Sequence, residues 1–176
     1  DLVRARQVAN QIALQKAVEK HGLRRIFTFH NSIAAAKSFT SLQGEGIHYH
    51  LPGFMLIHVN GKIPAAKRES LMEEFTQAER AVMSNARCLT EGVDIPAVDM
   101  VAFMAPKRSR VDIVQATGRA MRKVPGKDVG YVLVPLFVEQ ATGETVEEAV
   151  ERSNFDEVWN VLQAMQEQDE ILADII

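Results

Sequence analysis

Five short runs constrain this chain more than any other feature. They are RIFTFH (25–30), FMLIHV (54–59), RAVMSN (80–85), DMVAFMAP (99–106) and GYVLVPLFV (130–138). Each is rich in β-branched, aromatic or other apolar residues, and each is bounded by turn formers, so each reads as a strand. A strand with one wet face alternates apolar and polar residues. These runs are almost continuously apolar, which requires cover on both faces and points to parallel pairing. Helical stretches lie between them: 2–20 ahead of the first run, 33–42 behind Asn31 and Ser32 as caps, Pro64 to about Glu79, and 109–122. The alternation predicts an α/β fold in three layers, with a mostly parallel sheet and helices on both faces. In such folds ligands gather at the carboxyl ends of the strands. The irregular loops of this sequence all follow strands, after His30, Val59, Asn85 and Met104.

Charge divides the chain. The net charge is −3, but in residues 1–138 Lys and Arg outnumber Asp and Glu by 19 to 12. In residues 139–176 a single base, Arg152, faces 11 acids. The expected organisation is a basic body over 1–138 and an acidic helical extension over 139–176, with helices at 144–152 and 154–175, docking on the body or leading to a further domain. Only the body is a candidate for a phosphate-bearing partner. No apolar run is long enough to span a membrane. The lone cysteine, Cys88, allows no internal disulfide and fits a reducing cytoplasm. The opening on Asp1 without a signal pattern leads us to expect a piece of a longer polypeptide.

The chemistry concentrates in QATGRAMRK (115–123). On a helix, Gln115, Gly118, Arg119 and Arg122 fall at roughly 0°, −60°, +40° and −20°, a single narrow face. Gly118 costs that helix about 1 kcal/mol relative to Ala, a cost that makes sense where something must approach the backbone. Two guanidiniums one turn apart, beside a glycine and a carboxamide, suit a multiply charged oxyanion such as a phosphate chain. Taken alone, the same pair would read as a solvated basic face. Twenty-five residues upstream, LTEGVDIP (89–96) follows a strand; its Gly92 permits a tight turn and its Asp94 offers an acceptor for hydroxyls.

Together these two segments resemble motifs V and VI of superfamily-2 helicases. RIFTFHNS (25–32) is similar to motif IV, and HVNGKIPAAKRESLMEEF (58–75) to the strand, glycine turn and helix that follow it. The resemblance covers about residues 22–138. It is nearest to bacterial DEAD/DEAH-type helicases related to restriction-enzyme motor subunits. It implies the second RecA-like domain of a two-domain motor. Arg122 would then act as an arginine finger towards the γ-phosphate of ATP held by the first, N-terminal RecA-like domain of the same chain. Arg119 would touch phosphate or order the motif, and Gln115 would help sense nucleotide. Gly92 and Asp94 would lie near the ribose, with Gly118 on the nucleotide-facing side of the helix. A finger of this kind contributes about 10³–10⁵ in rate.

No GxxxxGK[ST] occurs: Gly61-Lys62 runs into Ile63 and Gly126-Lys127 into Asp128. No DExD/H box follows an apolar strand; QDEIL (168–172) falls in an acidic helix. ATP and Mg²⁺ are therefore expected to be bound mainly by the first domain, and these 176 residues alone are expected to be inactive. Candidate contacts to a nucleic-acid backbone are Asn31, Ser32, Gly61, Lys62, Asn85 and Thr90. Caps and turn residues serve the same positions equally well. Motif VI opens on Gln115-Ala116 and motif V carries Glu91-Gly92, where RNA helicases of the DEAD-box type have His-Arg and Arg-Gly; the partner expected is DNA rather than RNA. Lys107, Arg108 and Arg110 form a basic loop ahead of motif VI. His48 and His50 lack metal-ligand spacing, so no metal site is expected of the chain itself. A non-catalytic RecA-like scaffold and an RNA-directed helicase remain the alternative readings.

Overall fold

The computed structural model describes residues 2–86, 98–104, 129–135, 138–152 and 163. Five strands form one parallel sheet: β1 (Arg25–Phe29), β2 (Met55–Asn60), β3 (Ala81–Ala86), β4 (Met100–Phe103) and β5 (Tyr131–Leu133). Their order across the sheet is β2-β3-β1-β4-β5, and every pairing is parallel. The helices among the described residues are α1 (Leu2–His21), α2 (Ile33–Phe39), α3 (Ala65–Gln77) and α4 (Val146–Arg152).

The period-2 geometry of the strands sends alternate side chains into two separate cores. Phe27, Phe29, Val59, Met83, Val101 and Phe103 point to one face, where α3 covers them with Met72 and Phe75. Ile26, Val82, Met100 and Ala102 point to the other, under Leu14 and Val18 of α1 and Phe39 of α2. Phe27 sits 5.2 Å from Phe75, centroid to centroid, and Phe29 sits 5.4 Å from Phe103. Both distances lie in the range that favours aromatic pairs.

Local signals set where the helices start and stop. α1 buries Gln11, Leu14 and Val18, a single stripe at helical spacing. It ends at Gly22, whose φ of 61° suits the left-handed residue beyond a helix. The Leu23 N–H reaches back to the Val18 carbonyl at 3.1 Å, and buried Leu23 seals that end. Ser32 caps α2: its Oγ accepts from the Ala35 N–H at 3.0 Å. The expected helix over 33–42 stops at Phe39: Thr40 leaves the helical conformation at φ −98° and ψ 8°, and the Ser41 N–H bonds back only three residues, to the Ser38 carbonyl at 3.3 Å. Pro64 precedes α3, and the Arg25 guanidinium closes the other end of that helix by donating to the Thr76 and Ala78 carbonyls, each at 2.9 Å.

The stretch 41–53 reads in sequence as an aperiodic loop, yet it contributes to the core. A 3-10 turn at Ile47–Tyr49 buries Ile47 and Leu51 beneath α1. Gln11 donates to the Glu45 carbonyl at 2.9 Å, and Arg4 pairs with the Glu45 carboxylate. At the amino end of the sheet the Asp99 carboxylate accepts both the Arg24 and Arg25 N–H groups at 2.9 Å, joining the start of β4 to the start of β1. Strands expected to reach residues 106 and 138 are shorter here: β4 ends at Phe103 and β5 at Leu133.

The aromatic core makes a direct prediction. Phe27→Ala opens a cavity on the α3 face and is expected to cost about 3–5 kcal/mol. Urea unfolding of the domain measures it; a loss below about 1 kcal/mol would show that this core does not carry the sheet.

Candidate nucleic-acid interface

The cross-strand register brings the carboxyl ends of β1, β2 and β3 to one edge. Asn85 lies level with Phe29 on one side and Val59 on the other, and Asn60 lies level with Ala86. Four of the sequence candidates are exposed there: Asn31 and Ser32 after β1, and Gly61 and Lys62 after β2. Asn85 differs. Its residue is only 1% exposed, and its carbonyl accepts the His30 N–H at 2.9 Å, so it belongs to the packed end of the sheet. Thr90, Gly92, Asp94, Gln115, Gly118, Arg119 and Arg122 lie outside the described residues, as do Lys107, Arg108 and Arg110.

The turn after β2 is held by its own first residue. Asn60 Oδ1 accepts the Lys62 N–H at 2.9 Å, and the Asn60 carbonyl accepts the Ile63 N–H at 3.2 Å. Asn side chains favour such turns because they imitate a backbone acceptor. Among the described residues the glycines with positive φ are Gly22, Gly44, Gly53 and Gly143, and Gly61 is not one of them. The Ser32 hydroxyl is an acceptor towards α2 and keeps a hydrogen with which to donate outwards.

Beneath this edge lies a row of polar side chains that sequence reasoning did not single out. Thr28, Ser84 and His58 stand side by side on β1, β3 and β2. Thr28 and Ser84 are fully buried and His58 is half-buried, on the face that α2 covers. Ser84 Oγ donates to the Ala36 carbonyl of α2 at 2.7 Å and lies 2.8 Å from Thr40 Oγ1 and 3.1 Å from His58 Nδ1. His58 Nε2 lies 2.9 Å from Asn60 Nδ2, and His30 Nε2 lies 2.9 Å from Thr28 Oγ1. The available signal was faint: one polar residue at the same place in each of three apolar strands.

Burial pushes the His58 imidazolium below the ordinary histidine range, and the Lys37 ammonium on α2 adds to the effect. The other loop histidines have local partners: His48 Nδ1 meets the Ser41 carbonyl at 3.1 Å, and His50 Nδ1 meets Gln15 Oε1 at 3.3 Å. Among the described residues no group of His, Cys, Asp and Glu is arranged to hold a metal ion, and no helix is long and apolar enough to cross a membrane.

Comparison with known proteins decides what this edge belongs to. Residues 9–124 match the helicase conserved C-terminal domain. The chain belongs to that family. Among solved structures, this helicase domain resembles an ATP-dependent type ISP restriction-modification enzyme, LlaBIII, bound to DNA. Identity is 36% and the TM-score 0.67, over 85% of this chain and 10% of that one. The second domain of the DEAD-box helicase Mss116p bound to an RNA duplex shares the fold at 15% identity and a TM-score of 0.53, over 73% of this chain and 50% of that one. The UvrABC system protein B of Aliivibrio fischeri is 29% identical over 129 residues, covering 69% of this chain and 19% of its own length. The chain thus spans about a fifth of that curated relative. The five-stranded parallel sheet with helices on both faces is the RecA-like fold expected from the sequence.

A helicase C-terminal domain with a neutral histidine beneath this edge has a predictable response to acid. A histidine whose folded pKa is lowered binds fewer protons in the native state than in the unfolded state. Its contribution to stability is complete above the ordinary value of 6.5 and is lost as pH falls below it. Thermal melts at pH 7.5 and 5.5 should show a larger drop for the wild type than for His58→Gln. Equal drops would mean that His58 is not held neutral by folding.

Proposed function

We propose that this domain is the second motor domain of an ATP-dependent nucleic-acid helicase or translocase, acting on DNA rather than RNA. Membership of the helicase C-terminal family carries the reading, and the 36% identity to an enzyme bound to DNA favours the DNA branch. In this reading Arg122 is the arginine finger, Arg119 assists it and Gln115 senses nucleotide. Gly92, Asp94 and Gly118 line the nucleotide side. Asn31, Ser32, Gly61, Lys62 and Thr90 touch the nucleic-acid backbone, and buried Asn85 supports them from within the sheet end.

The donor set fits part of the cofactor. Two guanidiniums and a carboxamide at helical spacing suit an anionic polyphosphate. They offer no carboxylate for Mg²⁺, so the metal and most of the ATP contacts belong to the N-terminal RecA-like domain. ATP, when bound there, supplies the phosphoryl group and the free energy of the cycle. Arg122 holds positive charge where negative charge develops on that group, which lowers the barrier without further reorganisation. On the nucleic-acid side, exposed Lys62 and the Ser32 hydroxyl meet phosphates. Such contacts fix position and carry no sequence information, so this domain should move along any sequence.

The test is steady-state ATP hydrolysis by the full-length protein with no nucleic acid, duplex DNA, single-stranded DNA or RNA. DNA is expected to stimulate turnover, and Arg122→Ala to reduce the stimulated rate by about 10³-fold or more. Stimulation by RNA alone would assign the domain to the RNA-directed branch. Turnover indifferent to Arg122 would leave a RecA-like scaffold in place of a motor.

A further inference from the structure

We infer that His58 is a positioning residue: its neutral ring fixes the Asn60-Gly61-Lys62 turn to helix α2 through Ser84, so that the turn is preset for a nucleic-acid phosphate. The inference rests on the reading of that turn as a backbone contact.

The hydrogen bonds allow one consistent assignment. Asn60 Oδ1 is committed to the Lys62 N–H, so the group that Asn60 turns to His58 is its NH₂. An NH₂ can only donate, and His58 Nε2 must therefore accept and carry no hydrogen. The ring proton then lies on Nδ1 and donates to Ser84 Oγ. Ser84 donates its own hydrogen to the Ala36 carbonyl at 2.7 Å and accepts from His58, while Thr40 Oγ1, 2.8 Å away, has a single hydrogen to share between the Ala36 carbonyl and Ser84. The direction of every bond is set from the two ends, by a backbone N–H in the turn and a backbone carbonyl in α2. Reversing the His58–Ser84 link would put a hydrogen on Nε2 against the Asn60 NH₂.

The relay joins two features that are separate in sequence. At one end is α2, whose first turn follows Asn31 and Ser32; at the other is the turn that presents Lys62. His58 itself is half-buried and meets the turn through Asn60. A merely space-filling residue at this place would leave the Asn60 carboxamide free to rotate, and the Lys62 N–H would lose its fixed acceptor.

Two readouts on the full-length protein test this, with variants His58→Leu, His58→Gln and Lys62→Ala. The first is hydrogen exchange of the Lys62 amide. It should quicken in His58→Leu and return towards wild type in His58→Gln, whose amide oxygen can accept from Asn60 as Nε2 does. The second is nucleic-acid-stimulated ATP hydrolysis. His58→Leu should raise the half-saturating DNA concentration by about three- to tenfold, the worth of one net hydrogen bond, while turnover at saturating DNA stays within about twofold. His58→Gln should recover most of that loss. Unchanged Lys62 exchange in His58→Leu overturns the proposal. So does faster exchange with unchanged half-saturation, if Lys62→Ala itself weakens DNA binding. A silent Lys62→Ala overturns both the reading of the turn and the proposal that rests on it, and the exchange data separate the two failures. If His58→Leu does not fold, His58→Gln must still match wild type in both readouts, and a loss there overturns the proposal equally.

Discussion

A sheet covered on both faces gives water no access to its polar side chains, so each must find its partner inside. Ser84 is where this constraint acts most strongly. It lies at the centre of three adjacent strands, fully buried, and its hydroxyl binds the Ala36 carbonyl, Thr40 and His58 at once. An unpaired hydroxyl there would cost about 1–3 kcal/mol, so the row under α2 is stable only as a complete set. The same requirement seats α2 on β3 and β2. Packing on the opposite face is mainly apolar, with buried Asn85 at its carboxyl edge and the Arg25 guanidinium at its amino end. One face therefore supplies burial, and the other supplies direction.

The acidic extension obeys a different logic. Arg152 is the one base after residue 138, and the structure uses it locally. Its guanidinium grips the Glu144 carboxylate through both oxygens, at 2.8 and 2.9 Å, and donates to the Glu139 carbonyl at 2.7 Å. The pairing and the Ala141 N–H hold the Glu144 carboxyl down at about 2. The Thr145 hydroxyl caps the start of α4 from the Glu148 N–H, and the Glu148 carboxylate takes the Thr145 N–H in return. Residues 139–152 thus close on one another through their own side chains and backbone.

The sheet was legible because it is buried on both faces. Strands β1 to β5 all fall within apolar runs, and parallel pairing follows from that continuity. Ser32 was legible as a cap because a short hydroxyl residue stands just ahead of a helical stretch. The glycine-rich stretch 41–53 was not, since Ile47 and Leu51 reach the core through a single 3-10 turn with no period to detect. Asn85 reads in sequence as a surface polar residue after a strand, but the register buries it between β1 and β2. The Asn60-Gly61 turn was visible, while its dependence on His58 was not. That dependence exists only once β2 is paired with β3, and pairing is a tertiary fact. The segments at 89–96 and 115–123 were legible through their resemblance to helicase motifs V and VI, and the family match extends over both.

The strand order explains why such a relay belongs on β2 rather than on β1. β1 sits in the middle of the sheet, with β3 and β4 on either side, so the backbone leaving it is fixed by two neighbours. β2 is an edge strand with β3 as its single neighbour among the described strands. A turn that follows an edge strand has ladder support on one side only, and it moves more readily than one in the interior. A phosphate contact placed there gains little unless the turn is held in its binding shape beforehand, because ordering a loop on binding subtracts from affinity. The bonds from Lys62 through Asn60, His58 and Ser84 to Ala36 supply the missing second support, and they take it from α2 rather than from another strand. The loops after β1 and β2 are thereby referred to the same helix. On the motor reading proposed for this domain, two contacts tied to one rigid element would keep their spacing as the domain moves as a body.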